Sequence, residues 1–588
     1  MADRPEAPSS TPDSQHSSAA QPPSQRAPTS LRMAASLVVL RERPSGLEVL
    51  LLRRAVRAGD FSSDAYVFPG GVVDAGDRHG HAVCIGLDDA TASERLQLTD
   101  HGLNGGLDYY VAAMRECFEE TGVLFAVDAA GLPIDAAHLD AMRAQRDALH
   151  DGEIDIASLC QTSNVRLTPD RLHYLSHWVT PLALPKRFDT RFFLAMLPEG
   201  QSVEVDQIET AAHRWMRPNY ALTHADQLRL LPPTRKLLQW LESMGTAERA
   251  MATASTLAAR HEIPRIQPRL ANGKRGRWPV TPDEPAWAEL TLTDPHEQGN
   301  GSYDIVPGHV VTLMPGVLRV TASNPGMMTG PGTNTYLIGG GPKNEWAVID
   351  PGPDDPAHTE TILRAVPGVI RQIFVTHTHR DHSPGARLLK AKTGAVTYGM
   401  QARHDEGQDT AFVPDVALFD DDEVTLPDGR MLRAIHTPGH AANHLCYSLD
   451  DAKLVFTGDH VMQGSTVVIN PPDGHMATYL ASLEKLAALA PQWLAPGHGF
   501  VMDRPAQRIA RLVAHRLARE ARTLAALADV GPASIDTLTP VVYADVPTTR
   551  HGVARRSLRA HLDKLAEDGR AVLSTDGVWR LRGETDAG

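Results

Sequence analysis

Residues 376–385 read THTHRDHSPG, and no other stretch constrains this chain as strongly. It holds His377, His379, Asp381 and His382. His377 and His379 are two apart. At the end of a strand, alternate residues point the same way, so both imidazoles can converge. Neutral imidazole suits zinc, and a carboxylate suits zinc, manganese or iron. Four neighbouring groups cannot fill two metal sites, but the downstream chain supplies more. His440 lies in TPGH, Asp459 in TGD and His498 in PGHG, each at a glycine-marked turn. HxHxDH followed by His440, Asp459 and His498 is the ligand pattern of a binuclear metal site. His404, His436, His444, His460 and His475 fall outside that pattern and read as surface or capping histidines.

The segments around these residues share one grammar. WAVIDPG (346–352), IRQIFVTHTH (370–379), KLVFTGD (453–459) and WLAPGHG (493–499) are short apolar strands ending in polar residues and glycine. An α/β sheet presents functional loops at its strand ends in this way. Helical segments, TETILRAV (359–366) and YLASLEKLAALA (479–490), lie between them. Residues 306–505 resemble the metallo-β-lactamase fold family. The resemblance implies an αββα sandwich with two zinc ions, manganese and iron also being compatible. It assigns His377, His379 and His440 to one ion and Asp381, His382 and His498 to the other, with Asp459 bridging. Asp381 would also orient the attacking water. GPGTNTYLIGGG (330–341) and TPGHAANHLCY (437–447) are similar to one branch of that family, which includes a mitochondrial single-stranded-RNA endonuclease and acyl-carrier thioesterases. AHRLAREARTL (514–524) and the terminal unit fit the branch's winged-helix extension, expected over 506–588.

A second constellation lies upstream. RECFEETGV (115–123) places Glu116, Glu119 and Glu120 on one helix face. Like charges so placed repel unless a cation lies between them, and oxygen ligands suit Mg²⁺ or Mn²⁺. Together with FPGGVVDAGD (68–77), the stretch resembles an interrupted Nudix box. Asp77 stands where the box carries its first glutamate, and 30 residues are inserted before Arg115. RFDTRFFLAML (187–197) and LPPT (231–234) are similar to a subgroup that contains coenzyme A diphosphatases. The resemblance implies a Nudix α/β/α sandwich over 34–245. Glu116, Glu119 and Glu120 would bind metal, with Glu116 and Glu119 catalytic in water attack on a pyrophosphate. A nucleotide-sensing module without activity is the other reading.

The whole is expected to be an α/β and α+β multidomain chain. AASLVVL (34–40) and LEVLLLRRA (47–55) predict a hairpin across RPSG, and residues 109–125 predict a helix. Residues 1–33, rich in Ser, Pro, Ala and Gln, predict a disordered tail. Residues 246–305 predict a proline-rich linker or wrapping arm. AVLSTDGVWRLRG predicts a terminal hairpin with a two-residue Asp-Gly turn. The net charge of −14 argues against a whole-surface nucleic-acid binder. From Arg504 onward, 14 Lys+Arg stand against 10 Asp+Glu, with Arg555, Arg556 and Arg559 clustered. That helix is read as a packing or homodimer surface, with RNA binding as the alternative. Four cysteines without a CxxC pair, and no apolar run of membrane length, predict a reducing cytoplasm and no membrane partner. The expected activity is hydrolysis of an acyl thioester or similar small ester, linked to coenzyme A or nucleotide-diphosphate chemistry. The competing reading is a single-strand-specific endoribonuclease with a sensing Nudix-like domain.

Overall fold

The computed structural model describes residues 31–56, 63–98, 105–205, 210–464 and 466–583. The expected tail therefore lies, up to residue 30, outside the described residues. Its last three positions do not: strand Leu31–Arg43 begins at Leu31, which pairs with Arg187. The predicted hairpin forms between Leu31–Arg43 and Gly46–Arg54.

These strands belong to an eight-stranded sheet whose two faces carry separate cores. Leu37 and Val39 face helix Gly106–Thr121. Val38 and Leu40, one residue out of step, face helix Pro232–Met244. This alternation is the period of a strand covered on both sides. The helix predicted over 109–125 starts three residues earlier and stops at Gly122, whose φ of 67° ends the helical run. The inserted residues are not featureless. They include helix Asp89–Arg95, and Asp89 accepts a hydrogen bond from the N–H of Leu107, at the start of helix Gly106–Thr121.

Residues 246–305 are built of regular elements rather than bare linker. Alanine-rich AERAMATASTLAA has high helix propensity and forms helix Ala247–Ala259. Its Ala247, Ala250 and Ala254 pack with Leu241 and Leu47. Arg265–Ile266 adds an edge strand beside His177 and Trp178. A hairpin, Arg269–Gly273 with Gly276–Val280, leads to helix Trp287–Thr293. Glu289 of that helix is buried. It pairs with Arg319 and accepts the N–H of Val501 at 3.0 Å.

Beyond residue 309, a seven-stranded and a five-stranded sheet pack face to face. Tyr336, Ile338, Ala347 and Phe374 of the first meet Leu445, Tyr447, Leu454 and Phe456 of the second. Leu337, Val348 and Ile373 turn outward under the flanking helices. Val455 and Leu494 do so under helix Met476–Ala488. The result is a four-layer αββα arrangement.

The C-terminal unit comprises helices Pro505–Val530, Ile535–Val542 and His551–Glu567 and a short hairpin. The hairpin turn is not the two-residue turn expected. Pairing stops at Leu573 and Trp579, and Ser574 donates its N–H to Val578, leaving Asp576 and Gly577 within a longer loop. No helix among the described residues is long and apolar enough to cross a membrane.

Candidate metal centre

Strand Val369–Phe374 ends in the histidine cluster. Thr376 is held by Asp350, which accepts its N–H at 2.7 Å and its hydroxyl at 2.8 Å. His377, three residues past the strand, and His379 then turn inward together. His377 Nε2 and His379 Nδ1 are 2.8 Å apart, and His379 Nδ1 and His440 Nε2 are 3.0 Å apart. His440 Nδ1 lies 2.7 Å from the Val468 carbonyl and donates to it, which aims the Nε2 lone pair at the other two rings.

Asp381, His382 and His498 form a second group. Asp350 accepts from His382 Nδ1 at 2.8 Å, and the Gly332 carbonyl accepts from His498 Nδ1 at 3.2 Å. Both Nε2 atoms thus point into the site. Asp459 stands between the groups: Oδ2 is 3.7 Å from His440 Nε2, while Oδ1 is 3.5 Å from His382 Nε2 and 3.3 Å from His498 Nε2. It is presented by the turn after strand Leu454–Gly458. Gly458 there has φ of 45°, and a Cβ would lie 2.7 Å from Thr376 Oγ1.

Three buried atoms of this cluster, His382 Nε2, Asp459 Oδ1 and His498 Nε2, have no hydrogen-bond partner. A buried polar atom left unpaired costs about 1–3 kcal/mol, and more if charged. Three such atoms converging within ion-binding distance fit a divalent cation. Three imidazoles in one group, and two imidazoles with a carboxylate in the other, are donors that zinc takes. Electrostatics agree. Burial would raise the Asp459 and Asp381 carboxyls, but the facing imidazoles hold both well below the usual range. Burial would lower His498, yet Asp459 and Asp381 push it up to about 10. Desolvation and the facing His440 lower His379 to about 3. The carboxylate side of the site therefore draws positive charge. Asp381 and His379 are only half-buried and form its open side.

Several supporting residues were not read from the sequence. Asp350 ends WAVIDPG and orients both Thr376 and His382. Thr333 donates its hydroxyl to Asp381 at 3.1 Å. His444 and His460, read as surface or capping residues, are fully buried, because they pack beneath the cluster. The His444 ring lies 5.0 Å from that of His377, and its Nε2 accepts the N–H of Asp459. His475, in contrast, does cap helix Met476–Ala488. Arg516 of the long C-terminal helix donates to the carbonyl of Val467, the residue before the one that holds His440.

The upstream carboxylates are arranged differently. Arg115 sits among them. It donates through Nε to Asp77 at 2.8 Å and through Nη1 to Glu116 at 3.0 Å, and its Nη1 is 3.2 Å from Glu119. Glu120 turns away and accepts the N–H of Gly70 at 2.9 Å. Among the described residues, Glu116, Glu119 and Glu120 do not form a three-ligand group; the guanidinium offsets their charge. Burial raises the Glu116 carboxyl to about 7 despite Arg115. The Glu116 carboxylate packs directly on Gly71, where a Cβ would lie 2.3 Å from Oε1 and displace it. The shortened Asp77 is fully buried and pairs with Arg115. The oxygen-only donor set suits Mg²⁺ or Mn²⁺.

The chain is similar to several known proteins. A protein from Caenorhabditis elegans called "Beta-lactamase-like protein 2 homolog" is 32% identical over 269 residues, 44% of this chain and 86% of that protein. Residues 328–498 match the family described as Metallo-beta-lactamase superfamily. The chain belongs to that superfamily. Residues 87–241 match the NUDT19 Nudix domain, and 534–579 the beta-lactamase associated winged helix domain. The chain is therefore a multidomain hydrolase. "Atrochrysone carboxyl ACP thioesterase nsrC" of Aspergillus novofumigatus is 29% identical over 289 residues, 46% of this chain and 85% of that protein. A NUDIX hydrolase from Alicyclobacillus acidocaldarius, known as a crystal structure, is 27% identical, with a TM-score of 0.32, covering 38% of this chain and 97% of that one.

Proposed function

We propose that the superfamily domain hydrolyses an acyl thioester or similar small ester at two zinc-type ions. His377, His379 and His440 would hold one ion, and Asp381, His382 and His498 the other. The observation that carries this reading is Asp459, whose two oxygens face the two groups separately. The thioesterase names among the relatives support the substrate class. Bound ions make hydroxide available at neutral pH and offset charge growing on the carbonyl oxygen. Asp381, on the open side, accepts a hydrogen bond from the attacking water and orients it; the Thr333 hydroxyl fixes that carboxylate. The water oxygen bonds to the carbonyl carbon, the C–S bond breaks, and a carboxylic acid and a thiol leave. The upstream domain would cleave a nucleotide-diphosphate derivative or coenzyme A with Mg²⁺, using Glu116 and Glu119. The four cysteines are free thiols, which supports a reducing, cytoplasmic setting.

The endoribonuclease reading depends on cations that grip phosphates along a strand. Arg555 pairs with Asp536 at 2.5 Å and Arg559 with Asp563 at 2.7 Å, so two of the three clustered arginines already face carboxylates. The deciding experiment assays acyl-CoA thioesters and single-stranded RNA side by side. It compares zinc-loaded wild type with a triple Arg555, Arg556, Arg559→Ala variant at two salt concentrations. Thioester hydrolysis should survive the triple substitution within about twofold. RNA cleavage that is robust, falls steeply with salt and vanishes in the variant would overturn the ester reading.

A further inference from the structure

The stretch RFDTR, residues 187–191, takes part in neither site described above. On strand Arg187–Met196, alternate residues face one side of the sheet, so Arg187, Asp189 and Arg191 form a row. All three are buried. The row faces helix Gly106–Thr121: the Arg191 guanidinium lies 5.7 Å from the centre of the Tyr109 ring. Asp189 Oδ1 is 2.7 Å from His177 Nε2 and 3.1 Å from Arg191 Nη1. Arg187 donates its Nε to the Thr180 carbonyl. Of the two guanidinium groups, only that of Arg191 meets the Asp189 carboxylate; that of Arg187 is held by a backbone carbonyl. Burial holds His177 below its ordinary pKa, so it adds no charge but steadies Asp189.

Arg191 is the anomaly. It is 5% exposed, yet its Nε finds no partner, and its Nη1 meets Asp189 only as an ion pair without hydrogen-bond geometry. Buried guanidinium donors are normally satisfied, and the ion that suits a planar fork of donors is a carboxylate or a phosphate.

Its position selects between them. Ala35 pairs with Arg191 on one side and with Gly71 on the other. Directly paired residues face the same side of a sheet, and neighbouring strands are about 4.8 Å apart. Arg191 and Gly71 are therefore about 10 Å apart across Ala35, which carries only a methyl group. Glu116 packs on Gly71. Tyr109 and Glu116, seven residues apart on one helix, span the same gap by about two turns. A guanidinium with an unmet Nε thus lies on the same sheet face as Gly71, against which Glu116 packs, two strands away.

We propose that the Arg187, Asp189 and Arg191 row, led by Arg191, is an anion-recognition face of this domain. It takes a phosphate of a diphosphate-containing ligand whose neighbouring phosphate reaches Glu116 and Glu119. The ligand class rests on the diphosphatase reading above; the anion site itself rests on the buried, unmet Nε of Arg191.

The test uses the full chain with Mg²⁺ and inorganic pyrophosphate as the probe, followed by calorimetry. Arg191→Gln should weaken binding about tenfold or more, and Arg191→Lys should recover part of it. Arg187→Gln should weaken it less. Thioester hydrolysis should not change in any of them. Pyrophosphate failing to bind wild type, or binding Arg191→Gln as tightly as wild type, overturns the proposal. So does a set in which Arg191→Gln unfolds while Arg191→Lys and Arg187→Gln bind like wild type, because the row is then only structural. ADP-ribose kinetics separates the two readings. A wild type that binds pyrophosphate through Arg191 but cleaves no diphosphate removes the diphosphatase reading and leaves the anion site. A wild type that cleaves ADP-ribose, with KM unchanged in Arg191→Gln, does the reverse.

Discussion

Glu289 and Arg319 form a buried ion pair 30 residues apart in the chain, one on helix Trp287–Thr293 and the other on strand Val317–Thr321. The same Glu289 carboxylate accepts the N–H of Val501, close to the far end of the αββα unit. The stretch before residue 306 is thereby fastened into the fold that follows it. Removing one partner of a buried pair strands the other. Glu289→Ala should destabilise the αββα unit by about 3–5 kcal/mol. Pairing it with Arg319→Met should restore part of that loss. Denaturant unfolding of the four species checks this, and a Glu289→Ala variant as stable as wild type would contradict it.

Metal binding and stability should fail together at the histidine cluster. His379→Ala should lose bound zinc and lower the melting temperature, because an ion held only by the folded state adds its binding energy to folding. Asp350→Asn should keep the fold but weaken zinc about 10–100-fold, through its hold on His382. Metal analysis after dialysis, alongside thermal melting, measures both. No transition metal in wild type refolded with zinc, manganese or iron would refute the assignment.

Glu119→Gln keeps the size of the side chain and removes its charge. Diphosphate hydrolysis should fall about a hundredfold or more, the usual range when a positioned acid or base is lost. Steady-state rates with ADP-ribose and coenzyme A decide the matter. Unchanged rates in the variant would remove Glu119 from the reaction.

His561 gives the C-terminal unit an acid sensitivity. It is fully buried, neither ring nitrogen has a partner, and burial beside Arg516 and Arg519 lowers its pKa to about 3. The unfolded imidazole binds a proton from about pH 6.5 downward, and the folded one does not. Its stabilising contribution is thus complete above pH 6.5. It is lost as pH falls toward 3, at about 1.4 kcal/mol per unit. Between pH 6.5 and 5 the wild type should lose more thermal stability than His561→Leu, compared at matched zinc. Parallel losses in both proteins would assign the acid response elsewhere.

The clustering of the histidines was legible because its signal is local: HxHxDH and three glycine-marked turns name their own residues. The residues that aim those side chains were less legible. Asp350 is one aspartate at a strand end, and nothing in WAVIDPG says that its carboxylate bonds to a histidine 32 residues later. His444 and His460 were misplaced because a lone histidine carries no burial signal of its own; only the packing of the two sheets encloses them. The glutamates of the Nudix-like helix were legible as a face, but not their gathering around Arg115, which depends on Asp77 arriving from a distant turn. Residues 246–305 read as a linker or wrapping arm, with no regular elements, because prolines masked an alanine-rich helix and a buried Glu289.

Arg516 grips Val467, and the next carbonyl along sets the ring of His440. The terminal helix is thus a strut of the candidate metal centre as well as a neighbour of it. Two relatives that exchanged their tails by recombination would also exchange part of what aligns that imidazole. A tail that packs well but carries a different residue at position 516 would yield a folded protein with a misaligned site. The border that matters to inheritance therefore lies inside the long helix, beyond the turn of Arg516, rather than at its first residue.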